Sequence, residues 1–552
     1  MRTLRPQLVS SLKTYSAKAL VKDLTAGVIV AIIALPLSIA LALASGVRPE
    51  QGIYTAIIAG FIISMLGGSK VQIAGPTAAF ATMVAGIVAT EGMDGLIVAT
   101  VLAGIFLILM GLLKMGNLIK FIPYTITTGF TSGIAVTIFI GQVKDFMGLT
   151  FQNSPISTIE KLMEIFNCIP TLNTTAIIIG FVSLIILIIW PKISAKIPGS
   201  LIAVIVSALL VKFMDLNVNT IGDLYTISSS LPHFTMPNIT YETVRNVLPD
   251  AFTIEVLAAI ESLLSCVVAD GMIGTRHNSN MELIAQGIGN TASALFGGIP
   301  ATGAIARTAA NIKNGGHSPV AGMVHAIVLL ITLLLLMPYA ALIPMPCIAA
   351  ILFMVAYNMS EWREFVDVVK ESPKSDIIVL VTTFTLTVVF DLVIAIGFGL
   401  VLASVLFMRR MADVTDVYGW KYIEEEDENY DESRDYDNID LKAVPKDVLV
   451  FEITGPMFFG AADKINNVIF DKSKKAIVLR MRSVPAMDTT SLNKLRELHE
   501  QCKKFKVALI FSHVNEQPLS FIERAGFIDA IGRENLCANI DLALERASEI
   551  RG

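Results

Sequence analysis

From the N-terminus to about residue 408 the chain alternates long apolar runs with short polar interruptions, and beyond that point the pattern changes. Roughly fourteen apolar runs stand near 25–44, 53–66, 73–89, 96–113, 124–141, 175–190, 200–214, 247–269, 283–296, 301–312, 320–337, 345–358, 376–390 and 394–408. A helix needs about 20 apolar residues to cross a bilayer, and several runs fall short. Two of the short ones open on paired glycines: GGSKVQIAGPTAAFATMVAG from Gly67 and GGIPATGAIARTAANIKNG from Gly297. They are the third and tenth runs, equivalent places in two sets of seven. Interrupted helices at equivalent places predict an internal repeat with a binding site near the membrane midplane. Seven is odd, so the second set must run inverted. The pattern therefore predicts a polytopic α-helical membrane protein of 14 spans in a 7+7 inverted repeat.

Composition agrees, with 54% hydrophobic residues, 16% charged residues and a mean hydropathy of +0.67. The net charge of −5 is spread too unevenly to point to a partner, and nothing suggests nucleic acid binding. Lys70, Lys114, Lys120, Lys192, Lys196, Arg276, Lys313, Arg363, Lys370, Lys374, Arg409 and Arg410 fall on the same side of a fourteen-span chain as the basic N-terminus. The positive-inside rule then places both termini in the cytoplasm of a cell whose inner (plasma) membrane holds the protein, with the 215–246 loop outside. Residues 1–22 form a cytoplasmic N-terminal segment, the first helix is retained, and 23–410 form the membrane domain. The five cysteines stand too far apart for a disulfide framework or a zinc site. No GxxxxGK[ST], HExxH or GxSxG pattern suggests an NTP-driven pump or an enzyme, and no cofactor or metal is expected.

The charges inside the spans carry the chemistry. Arg307 lies in GAIAR, where a cation costs roughly 2.5 kcal/mol or more on insertion scales and so calls for a role. Two half-helices that start mid-membrane would point their amide N–H groups and positive dipole ends at a common pocket, a place for an anion. Gly303, Ala304 and Ala306 leave room beside Arg307, while AGPTAAF supplies Gly75, Pro76, Thr77 and Ala78 from the other side. The alternatives are an arginine that snorkels to an interface, and small residues that merely pack helices. Glu261 falls mid-span in AIESLLS, with Ser265 one turn later on the same face. A carboxylate in low dielectric favours its neutral form, so Glu261 suits proton coupling, against the alternative of a fixed ion pair with Arg307. Glu255 reads as a rim residue. Pro36 should kink or break the first helix, which would put Leu37 and Leu41 against the same pocket, unless the proline is only a bend.

Past Arg410 the run YIEEEDENYDESRDYDNID reads as a solvated acidic linker, 411–444. From 445 to 552, DVLVFEITG, KAIVLRMRS and KVALIFSH read as buried strands and SLNKLRELHEQCKKF as an amphipathic helix, a small α/β domain. Asp488 to Ser491 form an ordinary helix N-cap sequence.

Taken together, ALPLSIALALASGV, GGSKVQIAGPTAAF, GFTSGIA, AIESLLSCVVADGM, HNSNMELIAQGIGN and GGIPATGAIARTAANI resemble the sulfate permease (SulP) family of anion transporters, almost end to end. IESLL, GAIAR, NMSE and LFMRR most resemble a bacterial C4-dicarboxylate transporter of that family. The resemblance implies a core domain moving against a gate domain, a homodimer, and a C-terminal STAS domain that binds cytoplasmic proteins. By position it implies an anion site of Thr77 and Ala78 on the third helix, Ile305, Ala306 and Arg307 on the tenth, and Leu37 and Leu41 on the first. Glu261 and Ser265 match positions where sodium-coupled bicarbonate members carry Asp and Thr, which favours H+ over Na+ as the coupling ion. Thr490 matches a phosphorylatable serine of anti-sigma-factor antagonists, a regulatory reading set against the N-cap. The function expected is proton-coupled uptake of C4-dicarboxylates such as succinate, fumarate or aspartate by an elevator-like alternating-access mechanism. Sulfate or bicarbonate transport is the alternative, followed by an anion channel or an anion-binding sensor.

Overall fold

The computed structural model describes residues 4–13, 15–117, 122–153, 155–194, 197–390, 392–420, 444–468 and 473–550. The chain forms two compact units, Met1–Val401 and Leu402–Gly552. In the first, the apolar runs become helices α1 (Ala17–Ala44), α2 (Pro49–Leu66), α3 (Ala78–Leu112), α4 (Tyr124–Met147), α5 (Thr174–Ile193), α6 (Gly199–Phe213) and α7 (Tyr241–Ile273). They continue as α8 (Ser279–Leu295), α9 (Ile305–Lys313), α10 (Val320–Ala340), α11 (Met345–Met359), α12 (Lys374–Val389) and α13 (Leu392–Val414), the last running on into the second unit. The long α3 is two spans in one. Gly92, at φ 70° and ψ −170°, breaks it, and a Cβ there would meet nothing, so glycine is needed for its backbone angles rather than for space. With that break the expected fourteen spans are all present.

Their ends alternate between two faces. On one, Asn278 N donates to Gly68 O at 3.0 Å, Gly116 N to Asn280 Oδ1 at 2.9 Å, and Tyr124 OH to Glu364 Oε2 at 2.6 Å. On the other, Asn173 Nδ2 reaches Asn217 O at 2.8 Å and Thr220 bridges to Pro344. Glycines allow close helix crossings: a Cβ on Gly104 would lie 2.7 Å from Gly287 O, and one on Gly129 2.8 Å from Leu380 O. The first brings α3 against α8, the second α4 against α12.

The repeat is visible at the short segments before α3 and α9. Strand β1 (Ala74–Gly75) pairs antiparallel with β2 (Thr302–Gly303), Ala74 opposite Gly303 and Gly75 opposite Thr302. The buried amide of Asn290 on α8 fixes the approach to β2, donating to Ala301 O at 2.9 Å and accepting from Ala301 N at 2.7 Å.

The second unit is a five-stranded sheet of β3 (Asp416–Trp420), β4 (Val448–Thr454), β5 (Ala476–Ser483), β6 (Ala508–Ser512) and β7 (Leu536–Cys537), in that order. β3 runs antiparallel to β4 and the other pairs are parallel. The three expected strands are β4, β5 and β6, and the expected helix is α14 (Thr489–Lys504). Leu492, Leu495, Leu498 and Cys502 turn its apolar stripe onto Leu479, Leu509 and Phe511. The segment read as a linker contributes the edge strand β3, while its acidic run 422–440 lies outside the described residues. Asp488 caps α14, its Oδ1 accepting from Ser491 N at 2.9 Å and its Oδ2 from Phe459 N at 2.8 Å, and Thr490 is exposed.

Two stability outcomes follow. Asn290→Leu strips Ala301 of both partners and should lower the melting temperature of the detergent-solubilised protein, at about 1–3 kcal/mol per orphaned group. Asp488→Ala should destabilise the second unit by about 1–2 kcal/mol in calorimetry of the full chain, whereas Thr490→Ala should stay within about 0.5 kcal/mol.

Candidate functional site

The extended segments around β1 and β2 carry backbone into the middle of the first unit, where non-helical backbone is tolerated only if protein satisfies it. Besides the strand pair, Ala304 N donates to Ile73 O at 2.9 Å, and Ile73 N donates to Thr308 Oγ1 at 3.1 Å. Gly303 N donates to Ser262 Oγ at 3.0 Å, and Ser262 meets Thr302 Oγ1 at 2.6 Å. Asn311 Nδ2 donates to Val71 O at 2.8 Å. Every one of these side chains sits on α7, on α9 or in β2. Gly303 leaves no room for a Cβ, which would run into the Gln72 amide and lie 3.2 Å from Ser262 Cα.

Two helices start from this crossing, α3 behind Thr77 and α9 behind Ala304, and neither N-cap side chain accepts a bond from its own first turn. Both first turns are thus left without a side-chain cap, Phe80 N donating instead to Thr77 O at 3.4 Å, and an uncapped helix N-terminus suits an anion or water. Arg307, in the first turn of α9, is 2% exposed, so it does not snorkel. Its Nη2 donates to Pro76 O at 3.0 Å, while Nε and Nη1 have no partner among the described residues. A Cβ on Gly75 would strike Nη1, so a side chain there would displace the guanidinium from where it crosses β1.

Glu261 is half-buried and accepts from Thr77 Oγ1 at 3.1 Å, linking α7 to the cap of α3. Among the described residues it forms no ion pair with Arg307, whose one partner is the Pro76 carbonyl. One turn along α7, Ser265 is fully buried and meets Thr308 Oγ1 at 3.3 Å. Ala78 is buried, Ala304 half-buried, and Ile305 and Ala306 are exposed, Ile305 at 38%. The tip of α9 thus has a buried side that holds Arg307 and an open side. Thr77, Ala78, Glu261, Ser265, Ile305, Ala306 and Arg307 all lie on the three helices that meet at the crossing.

The first span differs from expectation. α1 runs unbroken from Ala17 to Ala44 through Pro36, since one missing amide donor removes one helical bond and the rest of the helix continues. Leu37 is half-buried and Leu41 is 1% exposed, packed in the core. Glu255, read as a rim residue, is 6% exposed. A cavity of ≈ 350 Å³ bordered by Leu35, Ile39, Ile205, Leu336 and Met337 is apolar and cannot serve an anion. Among the described residues no group of His, Cys, Asp and Glu is placed to hold a metal ion. Patterning passed over Ser262, Asn290 and His325. The first two look like ordinary small polar residues of a span, but His325, a titratable side chain in GMVHAIVLLI, is a signal of the same kind as Arg307 and Glu261.

Comparison with known proteins agrees with this geometry. The model of the sulfate permease family matches residues 20–383, and that of the STAS domain matches 439–544. A Bacillus subtilis protein named "Putative sulfate transporter YvdB" is 39% identical over 95% of this chain and 97% of its own length. The bicarbonate transporter BicA of Picosynechococcus is 32% identical over 85% of this chain and 84% of its own. The structure of SLC26A9 superposes with a TM-score of 0.87 at 18% identity, covering 99% of this chain and 92% of that one. The transmembrane domain of a cyanobacterial BicA matches with a TM-score of 0.63 at 30% identity, covering 73% of this chain and all of that one. The names of these relatives are those of sulfate and bicarbonate transporters, and they lend nothing to the dicarboxylate expectation. The family match over residues 20–383, joined by the STAS match over 439–544, places this protein in the sulfate permease family of membrane anion transporters, with a STAS domain at its C-terminus.

Proposed function

We propose that the chain is a secondary active transporter that holds a small anion between the tips of α3 and α9 and couples its movement to a proton through Glu261. The observation that carries this reading is Arg307, a buried guanidinium whose Nε and Nη1 have no acceptor among the described residues. A buried cation is costly unless paired and hydrogen-bonded, and the first-turn amides of two half-helices add to the positive field rather than relieve it. A negative solute completes the arrangement. The exposed Ile305 and Ala306 give it access to the tip of α9. Alternating access would then carry the site, with the core domain, past the gate domain.

Bicarbonate and sulfate are the leading substrates, on the strength of the relatives. C4-dicarboxylates such as succinate, fumarate or aspartate are the second reading, favoured by the small side chains of Ala304 and Ala306 next to Arg307. Glu261 bonds to Thr77 and not to Arg307, so no fixed ion pair holds its charge, and the carboxylate can exchange a proton as the anion comes and goes. Na+ is the less favoured coupling ion, because Glu261 and Ser265 stand where the sodium-coupled members that this chain resembles carry Asp and Thr. A homodimer in the plasma membrane with both termini cytoplasmic completes the proposal, supported by the family and by the placement of Lys and Arg.

Proteoliposomes under an inward proton gradient test it. Arg307→Gln should cut sulfate or bicarbonate uptake by about 100-fold or more, since two charge-assisted hydrogen bonds are worth about 1.5–3 kcal/mol each. Undiminished uptake would remove Arg307 from the site. Glu261→Gln should still bind the anion and exchange it, but should no longer concentrate it when the gradient is applied. Binding without flux would make the protein a sensor, flux indifferent to the proton gradient would point to a channel, and succinate outcompeting the other anions would reverse the substrate order.

A further inference from the structure

The fold brings a second titratable side chain up to the anion site. Along one face of α2 the small residues Ala56, Gly60 and Ser64 recur every fourth position, one turn or about 5.4 Å apart. They line the extended segment 73–75. At the first level a Cβ on Gly75 would lie 3.6 Å from Ala56 Cβ and would strike Arg307 Nη1. At the next, a Cβ on Gly60 would lie 3.1 Å from Ala74 O and 3.8 Å from His325 Nδ1. At the third, Gly322 of α10 faces Ser64 Oγ, and a Cβ on it would lie 3.4 Å from Ile73 Cδ1. Arg307 and His325 therefore occupy successive levels beside the same strand, on the way from the site toward the face that carries Asp23 and Ser318.

His325 is fully buried, and neither Nδ1 nor Nε2 has a partner among the described residues. Ser64 Oγ is in the same condition. An imidazole kept only for its volume would be replaced without loss by an apolar side chain, whereas buried polar groups are normally satisfied. The charged residues of the surrounding elements are otherwise occupied or distant. On α1, Lys18 and Lys22 are exposed and Asp23 accepts from His317 N at 2.7 Å and Ser318 N at 3.2 Å. On α2, Glu50 pairs with Arg48 at 3.2 Å, at the far end of the helix, and on α9 Lys313 lies in the last turn. Among the described residues of these elements, the remaining charge is that of Arg307.

We propose that His325 is a second proton site of the transport cycle, taking up a solvent proton when an anion occupies Arg307 and releasing it when the anion leaves. This rests on the reading of Arg307 as the anion site. With Arg307 uncompensated, an imidazolium one level away meets repulsion in a low dielectric. An anion on the guanidinium removes that repulsion, and by linkage a protonated His325 holds the anion more tightly in return. The balance is one proton gained at a ring nitrogen, with no bond broken in the anion.

The test uses the purified full chain in detergent, carrying Glu261→Gln so that the first proton site is silent, with sulfate as the probe. Calorimetric titrations between pH 5.5 and 8.5, in buffers of different ionisation heat, give the dissociation constant and the protons taken up. Sulfate binding to Glu261→Gln should still take up protons, its affinity falling by up to about tenfold per pH unit for each proton fully coupled. Adding His325→Gln, or His325→Asn as a second neutral substitution, should abolish the uptake and flatten the pH dependence. A merely structural histidine would shift the constant by one factor at every pH and leave proton uptake unchanged, which overturns the proposal. So does the absence of proton uptake in Glu261→Gln itself, a result that needs no histidine variant to fold. Sulfate binding that survives Arg307→Gln undiminished is instead a failure of the anion-site reading.

Discussion

The antiparallel contact between Ala74–Gly75 and Thr302–Gly303 is what allows two helices to begin in the middle of this unit. Inside a bilayer every amide and carbonyl needs a protein partner, and a chain that leaves helical geometry loses its local ones. Here the two extended segments partner each other, and Ser262, Thr302, Thr308, Asn290 and Asn311 take most of what the strands cannot. Among the polar side-chain atoms left without a partner among the described residues are Nε and Nη1 of Arg307, beside the uncapped tips of α3 and α9.

The contacts around the two tips are of two kinds. The links around Ser262, Thr302 and Thr308 are buried and join groups that carry no charge, so they define a rigid cradle. The contact between Thr77 and Glu261 differs: both residues are half-buried, one is ionisable, and the bond spans the cap of α3 and the middle of α7. In the cycle we propose, a change in the charge of Glu261 would act directly on the cap of α3, with rigid positioning on one side and a titratable contact on the other.

Much of this was legible in the residues. Paired glycines ahead of two short runs at equivalent places signal interrupted helices, because glycine is the residue that lets backbones approach as closely as β1 and β2 do. Arg307 and Glu261 stand out because a charge in an apolar run is costly. The strands β4, β5 and β6 announced themselves as short runs rich in Val, Ile and Leu. Other features left no local trace. Pro36 promised a break that α1 does not make, since the neighbouring helices hold the chain on course. β3 lies at the edge of an acidic stretch and was hidden by it, for its place is set by pairing with β4 rather than by its own composition.

Sequence by itself determined the class, the number of spans, the inverted repeat, the α/β tail and the charges that need a purpose, because each follows from periodicity or from the cost of a residue in its own surroundings. Only the tertiary structure decided what those charges touch. Arg307 meets the Pro76 carbonyl rather than Glu261, and Glu261 meets Thr77, in contacts that join segments more than 180 residues apart; His325 comes near the guanidinium only through the packing of α2 and the segment 73–75 between them. Local patterns carry no record of such distances, since hydrogen bonds and Coulomb forces act between neighbours in space, and here the inverted fold chooses the neighbours.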